Sequence, residues 1–422
     1  MIKRVSMRNF LCFKETEFDL SGTKGEPLPY ALVYGENGSG KTNLMMAQRF
    51  LRASLDTMPT MWMGTSHIGG GMTEVPEGIT MKNLFSDYMR VGSSEPMTVE
   101  FVLRIKGKDA TYRMFVTKDG LTEEELVYVL NGRRSVLFSI TEGTRKVGEI
   151  FSADLEKEML VELEKYWGPS SFLSMIYRQY RSTVPSYVRN NMSPEILEVI
   201  NEVINIRSYF SVNHDHSANP IDNPKSGQMP LEMEPYMDAL GEAMRDFFCG
   251  LYSDIVDVRY VKRRDQRYID YELVFDKRVE GEVITLPYYR ESTGTQKLVD
   301  EFLQIMSCVH GDTVLVDEMD SGIHDVLMSG IFDRVRDSMR GQLIATTHNT
   351  MLLQNSDPKC TFILDIDGEG YRHIRSVKSI TTTQKCNNNT KRYLEGDLGG
   401  IPILGYVDLA EISDRLFERL GQ

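Results

Sequence analysis

Residues 31–44 limit the architecture more than any other stretch. They run Ala31, Leu32, Val33, Tyr34, Gly35, Glu36, Asn37, Gly38, Ser39, Gly40, Lys41, Thr42, Asn43, Leu44. The apolar run Ala31–Val33 predicts a buried strand. Gly35 and the Gly40-Lys41-Thr42 triplet have the spacing of a phosphate-binding loop, and Thr42–Leu55 reads as a helix without Gly or Pro. This strand–loop–helix order has a mechanism. Glycines let successive backbone N–H groups turn inward around a phosphate, and the helix N-terminus adds the positive end of its dipole. Lys41 would reach the β- and γ-phosphates, and the Thr42 hydroxyl would bind Mg2+. The competing reading, a plain glycine-rich turn, does not account for the strand before it and the helix after it.

Bulk properties narrow the class. At 422 residues and 41% hydrophobic, the chain is long enough for two to three structural units. The net charge of −13 argues against a surface that coats nucleic acid. The densest basic run, Arg259, Lys262, Arg263, Arg264 and Arg267, reads as a solvated strand edge. No apolar run approaches the roughly 18 residues a bilayer needs. The opening residues lack the apolar core of a signal peptide, and Cys12, Cys249, Cys308, Cys360 and Cys386 are scattered. Reduced thiols in a cytoplasmic protein are expected, with no membrane partner.

Two short strands are expected at Ile2–Met7 and Phe13–Leu20, and an antiparallel meander over residues 97–141. Residues 56–95 read as an irregular excursion. Helical patterns cover residues 153–166, 194–206 and 231–250, and strand-like runs cover 254–263, 268–276 and 282–288. Residues 213–230 are polar, and His214 and His216 there read as part of a solvated loop rather than a metal site. No heptad pattern is sustained, so no long coiled coil is expected.

A second set of motifs completes a nucleotide site. Thr313–Val316 predicts a buried strand that ends in Asp317 and Glu318, the Walker B arrangement. Asp317 would hold Mg2+, and Glu318 would polarise the attacking water as general base. Gln342–Thr346 predicts another buried strand, with His348 at its tip able to contact the γ-phosphate. Ser292 and Gly294 open a helix whose N-terminus suits a phosphate; Ser292 or Thr293 could equally cap it.

In this order the motifs resemble an ATP-binding-cassette-type (ABC-type) AAA ATPase head, of the kind shared by the SMC, RecF and OLD families. More narrowly the chain is similar to the stand-alone, short-armed ATPases of abortive-infection and phage-defence systems. The residues that carry this are Ser292-Thr293-Gly294-Thr295, the run Asp317 to His324, and the tail from Arg392 through Tyr393, Leu394, Gly396, Gly399 and Gly400 to Pro402. The resemblance implies a P-loop NTPase α/β fold with a β-rich N-terminal lobe and an inserted helical arm. The head would be split between residues 1–150 and 254–422, with the arm at 151–253 and a glutamine loop at its base. It implies ATP and Mg2+, with Gln179 as a candidate Mg2+ or water ligand. It also implies that Ser292 and Gly294 bind the γ-phosphate held by a second protomer in a head-to-tail dimer, with higher assembly open. The expected partner is a separate effector, a nuclease or other toxin. The absence of an Asn-Lys-x-Asp motif argues against GTP. Residues near Arg8, Asn9, Phe10 and Phe13 are candidates for adenine recognition. The alternative is a RecF- or SMC-like ATPase of DNA repair or recombination acting on DNA directly. An OLD-type nuclease using Asp365 and Asp367 is a further reading, for which too little chain follows His348.

Overall fold

The computed structural model describes residues 1–58, 79–130, 132–209, 223–380, 389–401 and 407–420. The His214/His216 loop, Cys386 and Pro402 lie outside the described residues.

A six-stranded sheet forms the centre. Its order is Arg372–Ser376, Thr361–Ile366, Tyr30–Tyr34, Gln342–Thr346, Thr313–Val316, Ile206–Tyr209. All neighbours are parallel except the first pair. Every residue of Tyr30–Tyr34, Thr313–Val316 and Gln342–Thr346 is buried, as expected of parallel strands covered on both faces. The phosphate-loop strand thus comes from one end of the chain and both its neighbours from the other, which brings the motif-bearing ends together. Helices Lys41–Leu55, Thr293–His310 and Asp325–Ser338 bury apolar faces in the same core.

A seven-stranded antiparallel sheet, Ile2–Phe10 through Arg145–Val147, stands beside the centre. Strand Met97–Ile105 buries every second residue, the pattern of a sheet with one face on the core. Turns at Gly107, Gly120 and Gly132, all at positive φ, join successive strands of the meander.

The part of the chain expected to hold an arm carries helices Ala153–Tyr166, Phe172–Ser182, Pro185–Asn191, Pro194–Ile204 and Glu234–Leu251. It also returns strand Ile206–Tyr209 to the central sheet. A third sheet, built on Tyr268–Val279, pairs with Ile255–Arg264, Ser226–Pro230 and Glu282–Pro287. One expected irregular stretch is partly ordered. Met81–Tyr88 is a helix, because Thr80 and Asn83 form a reciprocal capping box and Met81, Leu84 and Phe85 share one buried face.

Candidate nucleotide site

Two glycines of the phosphate loop, Gly35 and Gly40, admit nothing larger. A Cβ on Gly35 would stand 2.5 Å from the Leu364 carbonyl oxygen and 2.7 Å from Ser39 Oγ. Gly40 caps helix Lys41–Leu55 at φ +109°, and a Cβ there would meet Cys12 Sγ at 2.6 Å. Lys41 Nζ donates to the carbonyl oxygens of Gly35 at 2.7 Å and Glu36 at 3.1 Å, so the ammonium arches over the loop. Desolvation lowers the Lys41 pKa, while Asp317, Glu318, Asp320 and Glu36 pull it back up. The Ser39 hydroxyl is fully buried without a hydrogen-bond partner among the described residues. Glu36, Asn37 and Gly38 form the loop's tip, and the Gly38 Cα faces open space.

The loop meets the acidic strand directly. Thr42 Oγ1 donates to Asp317 Oδ2 at 2.7 Å across 275 positions of sequence. Thr346 Oγ1 donates to Asp317 Oδ1 at 2.6 Å and accepts the Glu318 N–H at 2.7 Å. Asp317 is therefore buried with both oxygens fixed, whereas the Glu318 carboxylate is exposed beside it. Glu318 itself sits at φ +52°, a left-handed backbone that costs a residue with a Cβ about 1 kcal/mol. The Met319 N–H bonded to the Thr346 carbonyl holds that turn against the neighbouring strand tip.

His348 stands exposed where the two strand tips meet, and its N–H donates to Asp320 Oδ2 at 3.0 Å. Partial desolvation and then the Lys41 cation lower its pKa, against the pull of Asp320, Glu318 and Asp317. Asn349, not His348, caps the next helix, its Oδ1 accepting from Met351 and Leu352. Ser292 and Thr293 are exposed at the start of helix Thr293–His310. Ser292 Oγ accepts the Thr295 N–H at 3.2 Å, so it caps the helix. A Cβ on Gly294 would lie 2.7 Å from the Gly322 carbonyl oxygen, which seats this helix end on the turn after Glu318.

Several expectations need correction. Gln179 lies inside helix Phe172–Ser182, not on a loop; Ser171 caps that helix and its regular turns run past the glutamine. Phe10 and Phe13 are fully buried, so neither ring is free to stack on a base. Phe10 is committed to Tyr88, stacked at 5.6 Å, and to Phe50, edge-on at 5.9 Å. Asn9 is buried too, and the exposed Arg8 pairs with Glu95 at 2.9 Å. The basic run needs no correction: it lies on the edge strand Ile255–Arg264 and the turn after it, where Arg259 pairs with Asp276, Lys262 with Glu234 and Asp238, and Arg264 with Glu234. Asp365 accepts backbone N–H groups from Ile366 and Gly400, and Asp367 pairs with His373 at 2.9 Å. Among the described residues no three His, Cys, Asp or Glu side chains gather as a metal cluster.

Sequence reasoning missed two contributors. Thr346 orients Asp317 and the Glu318 backbone; its signal was a hydroxyl closing the buried strand Gln342–Thr346. Asp320 anchors the His348 backbone, and only the fold brings those two together.

A glycine-built phosphate loop, a buried aspartate bonded to its threonine, an exposed glutamate beside them and a mixed central sheet define a P-loop ATPase. A family profile described as "AAA domain, putative AbiEii toxin, Type IV TA system" matches residues 131–354, just over half of the chain. The chain belongs to that family, with an ATPase head of the ABC-type AAA kind; the phosphate loop itself precedes the matched span. No curated protein matches. Among solved structures, an SMC head bound to the C-winged helix domain of ScpA is similar at 15% identity and TM-score 0.45, covering 90% of this chain and 99% of that one. The SMC head domain from Thermotoga maritima is similar at 15% identity and TM-score 0.40, covering 89% and 99%. The recombination mediator protein RecF of the RecFOR pathway is similar at 14% identity and TM-score 0.38, covering 89% and 98%. Among the described residues no helix is long and apolar enough to cross a membrane.

Proposed function

We propose that this protein is an ATP-hydrolysing switch that dimerises on ATP and controls a separate effector in antiviral defence. The observation that carries the reading is the bond between the Thr42 hydroxyl and the Asp317 carboxylate, with Glu318 exposed next to it. Two remote motifs meet there as one polyphosphate site.

The donor set fits Mg2+. A hydroxyl and a carboxylate are hard oxygen ligands, and so sparse a protein set suits a cation that keeps waters and phosphate oxygens around it. Thr42 and Asp317 would hold the ion, which would neutralise charge on the β- and γ-phosphates. Gln179, on helix Phe172–Ser182, is a further candidate ligand of the ion or of its water. The loop N–H groups from Gly35 to Asn43 and the Lys41 ammonium orient the triphosphate. Glu318 takes a proton from the attacking water as general base. His348, kept neutral by its lowered pKa, offers a ring nitrogen to the γ-phosphate or the water.

Exposure of Ser292 at a helix N-terminus, with the half-buried Gly294 two residues on, supports a role for both in trans, on the nucleotide of a second protomer in a two-fold, head-to-tail dimer. Loss of the γ-phosphate would loosen that dimer. The family description, which names a putative toxin of a type IV toxin–antitoxin system, supports a place in a two-component defence system; the separate effector is our own reading. The arm at residues 151–253, between head segments 1–150 and 254–422, is the surface we assign to it.

The test is light scattering on size-exclusion peaks of Glu318→Gln, with and without ATP and Mg2+, beside a Glu318→Gln/Ser292→Arg double variant. A doubling of mass with ATP that Ser292→Arg abolishes is expected. Bound ATP with an unchanged monomer mass would sink the dimer reading.

A further inference from the structure

The tail motif around Tyr393, Gly399 and Gly400 has no part in the chemistry above, yet it lies against the phosphate loop. Gly400 sits at φ +70°, and a Cβ on it would stand 3.3 Å from the Gly35 Cα and 2.7 Å from Ile363 Cγ2. Gly399, at φ +78°, is as tightly placed; its Cβ would fall 2.6 Å from Asp365 Oδ2. Asp365 Oδ1 accepts the Gly400 N–H at 3.3 Å, and the Tyr393 hydroxyl donates to the Gly400 carbonyl at 3.2 Å. Two adjacent left-handed glycines thus let backbone approach backbone where a side chain would keep them apart.

The same tail also reaches the strand tip that carries His348. The Tyr393 ring packs edge-on against Tyr34 at 5.7 Å, and the Tyr34 hydroxyl donates to the Asn349 carbonyl at 2.9 Å. Thr390 Oγ1 donates to the Thr350 carbonyl at 3.0 Å, which joins helix Asn389–Leu394 to the helix just behind His348. Tyr393 and Leu398 are buried, so the tail is packed against the head.

We propose that Asn389–Gly400 reads the occupancy of the nucleotide site: triphosphate binding and docking of the tail are coupled equilibria. The proposal rests on the reading that Gly35–Thr42 bind ATP. Its physical basis is the Gly35–Glu36 segment, which meets Lys41 through its carbonyls and the tail through the Gly35 Cα. A triphosphate that draws the Lys41 ammonium to itself takes away the two carbonyl bonds it makes at 2.7 and 3.1 Å. Released from Lys41, the Gly35–Glu36 backbone is free to settle on the phosphates and on the tail together, so triphosphate binding and tail docking favour each other. A γ-phosphate engaging His348 moves the other element that the tail touches. The coupling is reciprocal: whatever factor ATP adds to tail docking, a loosened tail subtracts from ATP affinity.

The experiment is hydrogen exchange of peptides spanning residues 389–401 in the Glu318→Gln protein, with and without ATP and Mg2+. ATP affinity is measured by calorimetry for Gly400→Ala and Tyr393→Phe in the same background. ATP is expected to slow tail exchange about tenfold, Gly400→Ala to weaken ATP about tenfold, and Tyr393→Phe about threefold. Tyr393→Phe keeps the ring and loses one hydrogen bond, so it decides the matter if Gly400→Ala fails to fold. ATP binding with tail exchange unchanged and Tyr393→Phe affinity within about twofold would overturn the proposal while leaving the ATP site intact. No ATP binding by the parent protein would overturn the proposed function and the coupling with it.

Discussion

The Glu124 carboxylate, fully buried in the seven-stranded sheet, accepts the Phe172 N–H at 2.7 Å, the first free donor of helix Phe172–Ser182. It also accepts from Leu173 N at 3.1 Å, Tyr112 Oη at 2.8 Å and Trp167 Nε1 at 3.0 Å. Burial raises its pKa, and these four bonds oppose that. The negative charge lies at the positive end of the helix, so one side chain ties the β-rich lobe to the helix that carries Gln179. Glu124→Ala leaves four donors without their acceptor and is expected to cost about 3–5 kcal/mol. A urea midpoint within error of the parent protein would show that water replaces the carboxylate without loss.

Glu318 combines a functional carboxylate with a strained backbone. Replacing it by glycine removes the left-handed penalty at φ +52°. Glu318→Gly is expected to gain stability by about 1 kcal/mol and to lose about 100-fold or more in ATP turnover. Thermal melting and phosphate release are the two readouts. Turnover within a few-fold of the parent would remove Glu318 from the general-base role.

Gly294 meets Gly322 too closely for any side chain. Gly294→Ala displaces the start of helix Thr293–His310 from the turn after Glu318 while leaving the phosphate loop untouched. ATP affinity per protomer is expected to stay within about threefold while the ATP-driven mass increase disappears. A dimer that forms as readily as in Glu318→Gln alone would mean that this helix end lies outside the interface.

Glu301 is buried on that same helix, 3.2 Å from Lys297 Nζ. Burial pushes its pKa up to about 8 from an ordinary 4.5, with Lys297 opposing. The folded state therefore holds a proton that the unfolded chain releases. This contribution is complete below the unfolded value, declines as pH rises through that window and is gone above about 8. Urea midpoints measured from acid to alkaline pH should fall across that window for the parent protein and less steeply for Glu301→Gln. Equal slopes would assign the pH dependence elsewhere.

The local chemistry of the site was legible in the sequence. Fixed spacing from Gly35 to Thr42, an apolar run ending in Asp317 and Glu318, and another leading to His348 are short-range patterns. Backbone sterics and strand periodicity set them within about fifteen residues. The meander over residues 97–141 was legible for the same reason. What those patterns could not carry is which buried groups meet. Phe10 and Phe13 looked available for a base and are core, because the helix holding Phe50 and Tyr88 of a separate helix close over Phe10. Gln179 looked like a loop residue and is helical, because Ser171 and Glu124 hold the start of its helix. The sequence alone thus determined a phosphate loop, an acidic strand end and the class of chemistry they allow. Only the tertiary structure decided that Thr346 orients Asp317 and that the tail rests on Gly35. Desolvation and hydrogen-bond partnership are properties of segments that meet in space, and no local pattern records them.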